Sequence, residues 1–313
     1  MTTGPGTTAV AVPADPSAEL VRLWLHGRSP RTQRVYHQAV ARFRAACPQP
    51  LDTLTLGDLQ AFADKLAAGG LAPATRALQL SAVKSLLAFG HRLGLLPANV
   101  GAALRLPATT GQLAARILPE RTVQDLLTRA RVRSERLEAE RPQAHGLAAE
   151  GRRNAVLLRL LYVAGLRVAE LAGLRWRDCQ ERGHDAQGQP QGQVTVTGKG
   201  NKARAVLLPA DLWAELAGLR GDASADAPVF RSRRGGPLST VQVFRIVQDA
   251  ARAAGLAGNV SPHWFRHAHA SHALDNGAPI HLVQQTLGHA SVAVTSRYTH
   301  ARPGDSSSRY LRA

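Results

Sequence analysis

The stretch from Ser261 to His300 reads SPHWFRHAHASHAL, a short break, then PIHLVQQTLGHASVAVTSRYTH. Ser261 suits an N-cap and Pro262 the first helical position, where a missing N–H costs nothing. On the helix so started, His263 and Arg266 are three residues apart and His267 is four from His263, so the three share one face. His289 and Tyr298 follow on adjoining short helices. Two imidazoles, a guanidinium and a phenol so placed suit an anion-handling site.

Two segments far upstream add to it. Arg167 stands in an apolar context, with Glu170 three residues along on the same helical face. That spacing fits an ion pair, and it equally fits a guanidinium fork aimed at a phosphate and held by the carboxylate. Of 39 basic residues only Lys65, Lys84, Lys199 and Lys202 are lysine, and two of these fall in the turn GKGNK. A general acid must be able to release its proton near neutral pH, which lysine does when its pKa is lowered and arginine does not. Lys199, beside the strand end, is the candidate; Lys202 suits a DNA-backbone contact.

The histidines at 263, 267, 269 and 272 raise the question of zinc. No HExxH pattern occurs and no cysteine pair or acidic ligand is placed to complete a tetrahedral site, so no metal is expected. His267 and His272 read as ordinary core or surface imidazoles. A phosphodiester attacked by an oxygen nucleophile gathers charge on its equatorial oxygens, which either metal ions or preorganised Arg and His donors stabilise. It also needs a nucleophile and an acid for the leaving oxygen. The inventory here fits a covalent, metal-independent transfer of a DNA phosphate onto tyrosine, with no cofactor.

Composition points the same way. A net charge of +17 and a pI near 11.3 over 313 residues attract polyanions, with nucleic acid first among them. No apolar run is long enough for a membrane span, no secretion signal opens the chain, and the solitary Cys47 and Cys179 argue against a disulfide framework. A cytoplasmic, nucleoid-associated protein is expected.

Residues 1–17 have the composition of a disordered tail. Four helical patterns follow: one over Leu20, Leu23 and Trp24, a second opened by Ser29-Pro30, a third with a Thr55/Asp58 capping box, and a fourth opened by Pro73 with Leu78, Leu86, Leu87 and Phe89 inward. Their polar faces carry Arg28, Arg31, Arg34, Arg42, Arg44, Arg76, Lys84 and Arg92, suited to DNA phosphates. Residues 18–106 form this helical domain, 107–116 a linker, and 117–313 a second domain. In the latter, 131–153 reads as a helix extension plus loop, a buried helix starts at Asn154 and breaks at Gly165, and 183–193 is a loop. VTVTGKGNKARAVLL makes two strands, and the remainder is helical, including 240–254. The expected fold is mainly α with a small antiparallel β-sheet, in two domains.

The motifs GLRVAELAGLRWRD, TGKGNK, HWFRH, LGHASV and RYTH, in this order and spacing, resemble the tyrosine recombinase (phage integrase) family, its Xer-type and integrase members included. The likeness covers about residues 113–300, and the helical domain is similar to that family's SAM-like core-binding domain. The resemblance implies a site-specific recombinase whose catalytic set maps onto Arg167, Lys199, His263, Arg266, His289 and Tyr298, with Glu170 in support. Tyr298 would form a 3′-phosphotyrosyl bond and release a 5′-hydroxyl, with Arg167, Arg266 and His289 on the phosphate. Lys199 would protonate the leaving oxygen, His263 would assist at the tyrosine, and Arg31, Arg34, Arg76, Lys84 and Lys202 would contact DNA. It implies action on double-stranded DNA as a homo-tetramer on two sites, without ATP or metal. A catalytically silent DNA-binding protein of the same fold, or a related tyrosine-dependent resolvase or topoisomerase, is the alternative. The short N-terminal tail leaves no room for an arm-binding domain, and Pro303-Gly304 with three serines is poor material for a docking helix.

Overall fold

The computed structural model describes residues 16–108, 113–140, 143, 145–198, 202–289, 291–296 and 298. It divides into two compact units, Met1–Gly111 and Gln112–Ala313. Lys199, most of the expected tail and the segment beyond Tyr298 lie outside the described residues.

The first unit holds α1 (Pro16–Leu25), α2 (Pro30–Ala46), α3 (Leu56–Ala68) and α4 (Pro73–Arg92). Ser29 Oγ accepts from the Thr32 N–H while Pro30 takes the first helical position. Thr55 and Asp58 exchange hydrogen bonds across the start of α3, as their spacing predicts. Phe43 and Phe62 meet edge-on at 5.2 Å inside a core shared with Leu59, Leu80, Val83, Leu86 and Leu87. Leu78 is exposed, against expectation. The buried positions of α4 run from Gln79 and Leu80 through Ala82, Val83, Leu86 and Leu87 to Gly90, so burial begins one residue after Leu78.

The second unit begins with α5 (Glu120–Glu140) and α6 (His145–Val163). The charged stretch, expected as a helix extension plus loop, is helical through Glu140 in α5 and again from His145 in α6, which starts well before Asn154. The two helices pack closely at Gly151, where a side-chain carbon would lie 3.0 Å from Ser134 Oγ. Ion pairing between Arg152 and Glu138 spans them, so the charges that read as loop serve the contact. After α7 (Val168–Gly173) come β1 (Cys179–His184), β2 (Pro190–Thr197) and β3 (Ala203–Leu208), antiparallel in the order β1-β2-β3. The last two are the expected hairpin. β1 went unread because only its first residue, Cys179, is buried and no apolar alternation marks it.

Then follow α8 (Ala210–Ala217), α9 (Thr240–Ala253), α10 (Pro262–Asp275), α11 (Ile280–Leu287) and α12 (Val292–Thr295). The segment between α8 and α9, expected as helix, is irregular and held by isolated bridges at Arg175–Pro228 and Arg231–Pro237. Its Gly, Pro and Asp content breaks the helical pattern. A core of Leu126, Leu157, Leu161, Val194, Val206, Val247 and Phe265 joins these elements. No helix among the described residues is long and apolar enough to cross a membrane.

Between α6 and α7 the chain turns at Gly165, whose φ is +56°. A side-chain carbon there would lie 2.6 Å from Leu287 Cδ2 and 3.1 Å from the His269 ring. Gly165→Ala should lower stability by about 2–4 kcal/mol, from left-handed backbone strain plus overpacking. Urea denaturation measures it; an unchanged midpoint would contradict the tight fit.

Candidate active site

α11 ends at Gly288, in left-handed geometry (φ 61°, ψ 48°). The final carbonyls of an α-helix lack intrahelical partners and carry partial negative charge. Here three arginines from three different elements take them in succession. Arg204 Nε donates to the Thr286 carbonyl at 2.7 Å, Arg266 Nη2 to that of Leu287, and Arg167 Nη2 to that of Gly288 at 3.0 Å. Arg266 Nη1 also donates to the Gly165 carbonyl at 2.6 Å, which ties the turn before α7 to the same point.

Glu170, buried at the start of α7, joins two of these arginines. Its carboxylate accepts from Arg167 Nη1 at 2.6 Å, the Arg167 backbone N–H at 2.8 Å, and Arg204 Nη1 and Nη2 at 2.9 and 2.8 Å. Burial alone would raise its pKa, but the hydrogen bonds from Arg204 and Arg167 outweigh it and bring the carboxyl to about 2. The ion pair and the held fork, left open by spacing, are therefore one arrangement. Burial lowers Arg266 to about 10, with Arg167 beside it adding to the effect, yet Arg266 stays charged at neutral pH. Three guanidinium charges against one carboxylate leave the site strongly positive.

Arg204 was missed in the sequence, although a signal was there. It shares the alternate positions of β3 with buried Val206 and Leu208 and pairs across to Val196. An arginine on the core face of a strand needs a carboxylate.

The rings stand in a row beside the arginines. Tyr298 is buried, packed with Ala270, Leu274, Val283 and Leu287. The His289 ring lies parallel to it, at 6.4 Å and 5°, and His289 Nδ1 contacts Thr295 Oγ1 at 2.9 Å. His267 Nδ1 lies 2.7 Å from Tyr298 Oη, the ring centroids 5.7 Å apart. The exposed His263 follows, its ring 6.3 Å from that of His267. Burial, then Arg266 and Arg167, hold His289 at about 4; burial, then His263, Arg116 and Arg266, hold His267 at about 4. Both are neutral at physiological pH. His272 is the core histidine expected, between the Tyr162 hydroxyl and the Leu118 carbonyl. His267 is not: it touches the phenol. The Ser261 side chain makes no capping bond to α10, although Pro262 opens that helix as expected.

In the first unit Arg31 and Arg34 are exposed, as is Lys202 on the second. Arg76 is half-buried, and its Nε finds no acceptor. Lys84 Nζ instead donates to the carbonyls of Ala102, at 3.2 Å, and Leu104. Arg44 likewise serves the carbonyls of Cys47, Pro48 and Gln49, and Arg28 lies 5.1 Å from both the Trp24 and Tyr36 rings. These three cations are used within the fold.

Residues 131–304 match the model of the Phage integrase family, and residues 21–94 that of the phage integrase N-terminal SAM-like domain. The chain belongs to the phage integrase family. It is 36% identical over 284 residues to tyrosine recombinase XerC of Mycobacterium tuberculosis, covering 88% of this chain and 89% of the relative. Its fold is similar to XerH site-specific recombinase bound to palindromic difH substrate in a post-cleavage complex (TM-score 0.68, 20% identity, 91% and 81% covered). It is also similar to a lambda integrase tetramer bound to a Holliday junction (TM-score 0.66, 19% identity, 92% and 78% covered).

The histidine shifts set an acid limit. His267 and His289 sit at about 4 when folded and near the ordinary 6.5 when unfolded, so between these values the unfolded chain binds more protons and stability falls as pH falls. Glu170, lowered from 4.5 to about 2, adds its loss only below its unfolded value. The melting temperature should therefore drop on acidification from pH 6.5 toward 4, and less so in a His267→Asn, His289→Asn double variant. An equal drop in both proteins would assign the acid sensitivity elsewhere.

Proposed function

We propose that Tyr298 is the nucleophile with which this site-specific tyrosine recombinase opens and rejoins double-stranded DNA. The observation that carries this reading is the phenol set between two neutral imidazoles, beside three arginines gathered at one helix end. Tyr298 Oη attacks the scissile phosphorus, the P–O5′ bond breaks, and a 3′-phosphotyrosyl ester remains. Rejoining reverses these steps, with the bond energy kept in the ester. Neither ATP nor a metal enters this scheme.

Arg167 and Arg266 hold the non-bridging oxygens. Each is already oriented by a carbonyl of the α11 terminus, so little reorganisation accompanies charge build-up. His289, steadied by Thr295 on Nδ1, presents Nε2–H as a further donor. Glu170 fixes Arg167 and Arg204. Lys199 gives its proton to the leaving 5′-oxygen, and His263 assists proton movement at the tyrosine. Arg31, Arg34, Arg76 and Lys202 contact DNA phosphates. The working form is a homo-tetramer on two DNA sites, acting in the cytoplasm at the nucleoid; the lambda integrase tetramer on a Holliday junction has the same fold.

Incubation with nicked cognate duplex in chelator should trap an SDS-resistant protein–DNA adduct. Tyr298→Phe should trap none, and an adduct in that variant would reject the nucleophile assignment. Lys199→Arg should slow cleavage by roughly 10²–10⁴-fold, the usual contribution of a general acid. Sulfur in place of the scissile 5′-bridging oxygen should restore most of that rate, since a thiolate leaves without a proton. A Lys199→Arg defect unchanged by the sulfur would place Lys199 outside the leaving-group step.

A further inference from the structure

The row of rings separates two histidines that the mechanism above treats unequally. His263 is exposed, while the imidazole against the phenol is His267, with Nδ1 at 2.7 Å from Tyr298 Oη and the ring centroids 5.7 Å apart. A general base must lie within hydrogen-bond reach of the proton it takes, and His267 does. The geometry points to His267 as the catalytic base that receives the Tyr298 proton, with His263 passing that proton on to solvent. This inference rests on Tyr298 being the nucleophile.

The step balances as follows. The Tyr298 O–H proton moves to His267 Nδ1 as the Oη–P bond forms, and the P–O5′ electron pair leaves with the 5′-oxygen, which takes a proton from Lys199. His267 returns its proton to Tyr298 Oη when the strand is rejoined, or exchanges it through His263.

The surroundings of His267 explain why the transfer waits for DNA. Among the described residues, the charged and titratable groups acting on it or touching it include His263, Arg116, Arg266, His289 and Tyr298. Burial, then His263, Arg116 and Arg266, keep His267 at about 4 in the DNA-free protein. The ring is then a neutral acceptor, yet a weak base for a phenol. A phosphodiester held against Arg266 brings a negative charge that offsets the guanidinium and raises the basicity of His267. The nucleophile is thereby activated by the substrate it attacks.

The test is single-turnover adduct formation on nicked duplex, followed from mildly acid to mildly alkaline pH, with wild type, His267→Asn, His267→Ala and Tyr298→Phe. Asparagine keeps an acceptor where Nδ1 stands but cannot carry the proton. Wild type should reach a plateau. His267→Asn and His267→Ala should be slower by roughly 10²–10⁴-fold, and their rates should climb with pH without levelling. If His267→Asn keeps either the wild-type rate or the plateau, His267 only holds the ring and the inference falls. An adduct formed by Tyr298→Phe would instead overturn the nucleophile reading itself. A second measurement needs no altered histidine: the 15N shifts of the His267 ring in Tyr298→Phe protein, titrated with and without uncleaved duplex. Its pKa should rise on DNA binding, and an unmoved pKa overturns the inference even where the histidine variants fail to fold.

Discussion

An anion site built at the C-terminal end of a helix starts from the wrong sign. Phosphates gather at helix N-termini, where free N–H groups and the dipole favour them, whereas the end of α11 presents carbonyls. Arg204, Arg266 and Arg167 take the carbonyls of Thr286, Leu287 and Gly288 in order, so the negative end of α11 is covered by three positive charges. The same contacts fix the guanidinium groups from β3, α10 and the start of α7 relative to one another. Glu170 makes the arrangement affordable by holding two of the three cations in a buried setting. Gly288 permits it sterically, since a side-chain carbon there would lie 3.2 Å from Arg204 Cδ.

The ring row depends on this anchor. His289 directly follows the capped end, its backbone N–H bonded to the Gln284 carbonyl and its ring to Thr295. Tyr298 packs on Leu287 and Val283 of the same helix, and α10 delivers Arg266 and His267 from adjacent positions. One residue therefore reaches the α11 terminus while the next contacts the phenol. The two histidines beside the tyrosine are neutral because they are buried in the positive field of the arginines.

Much of this was legible in the chain. The caps at Ser29 and Thr55, the β2–β3 hairpin, the helical start at Pro262 and the pairing of Arg167 with Glu170 follow from spacing and residue type. What stayed hidden depended on partners distant in sequence. Arg204 looked like one more residue of a strand until Glu170 was placed beneath it. His267 looked like a core imidazole because nothing in HWFRH announces that Tyr298 returns to it. β1 lacks alternation because it is almost wholly exposed. Lys84 and Arg44 read as surface cations, since carbonyl partners leave no trace in composition.

Lys84 also bears on where the first unit ends. Its ammonium grips the carbonyls of Ala102 and Leu104, so the chain beyond α4 is pinned to its own unit for a further dozen residues or so before it is released. The first unit's fold thus extends past the end of α4 through Leu104. Two kinds of hold, one polar from Lys84 and one apolar from Leu96 and Leu104, make the stretch beyond α4 part of this unit's fold.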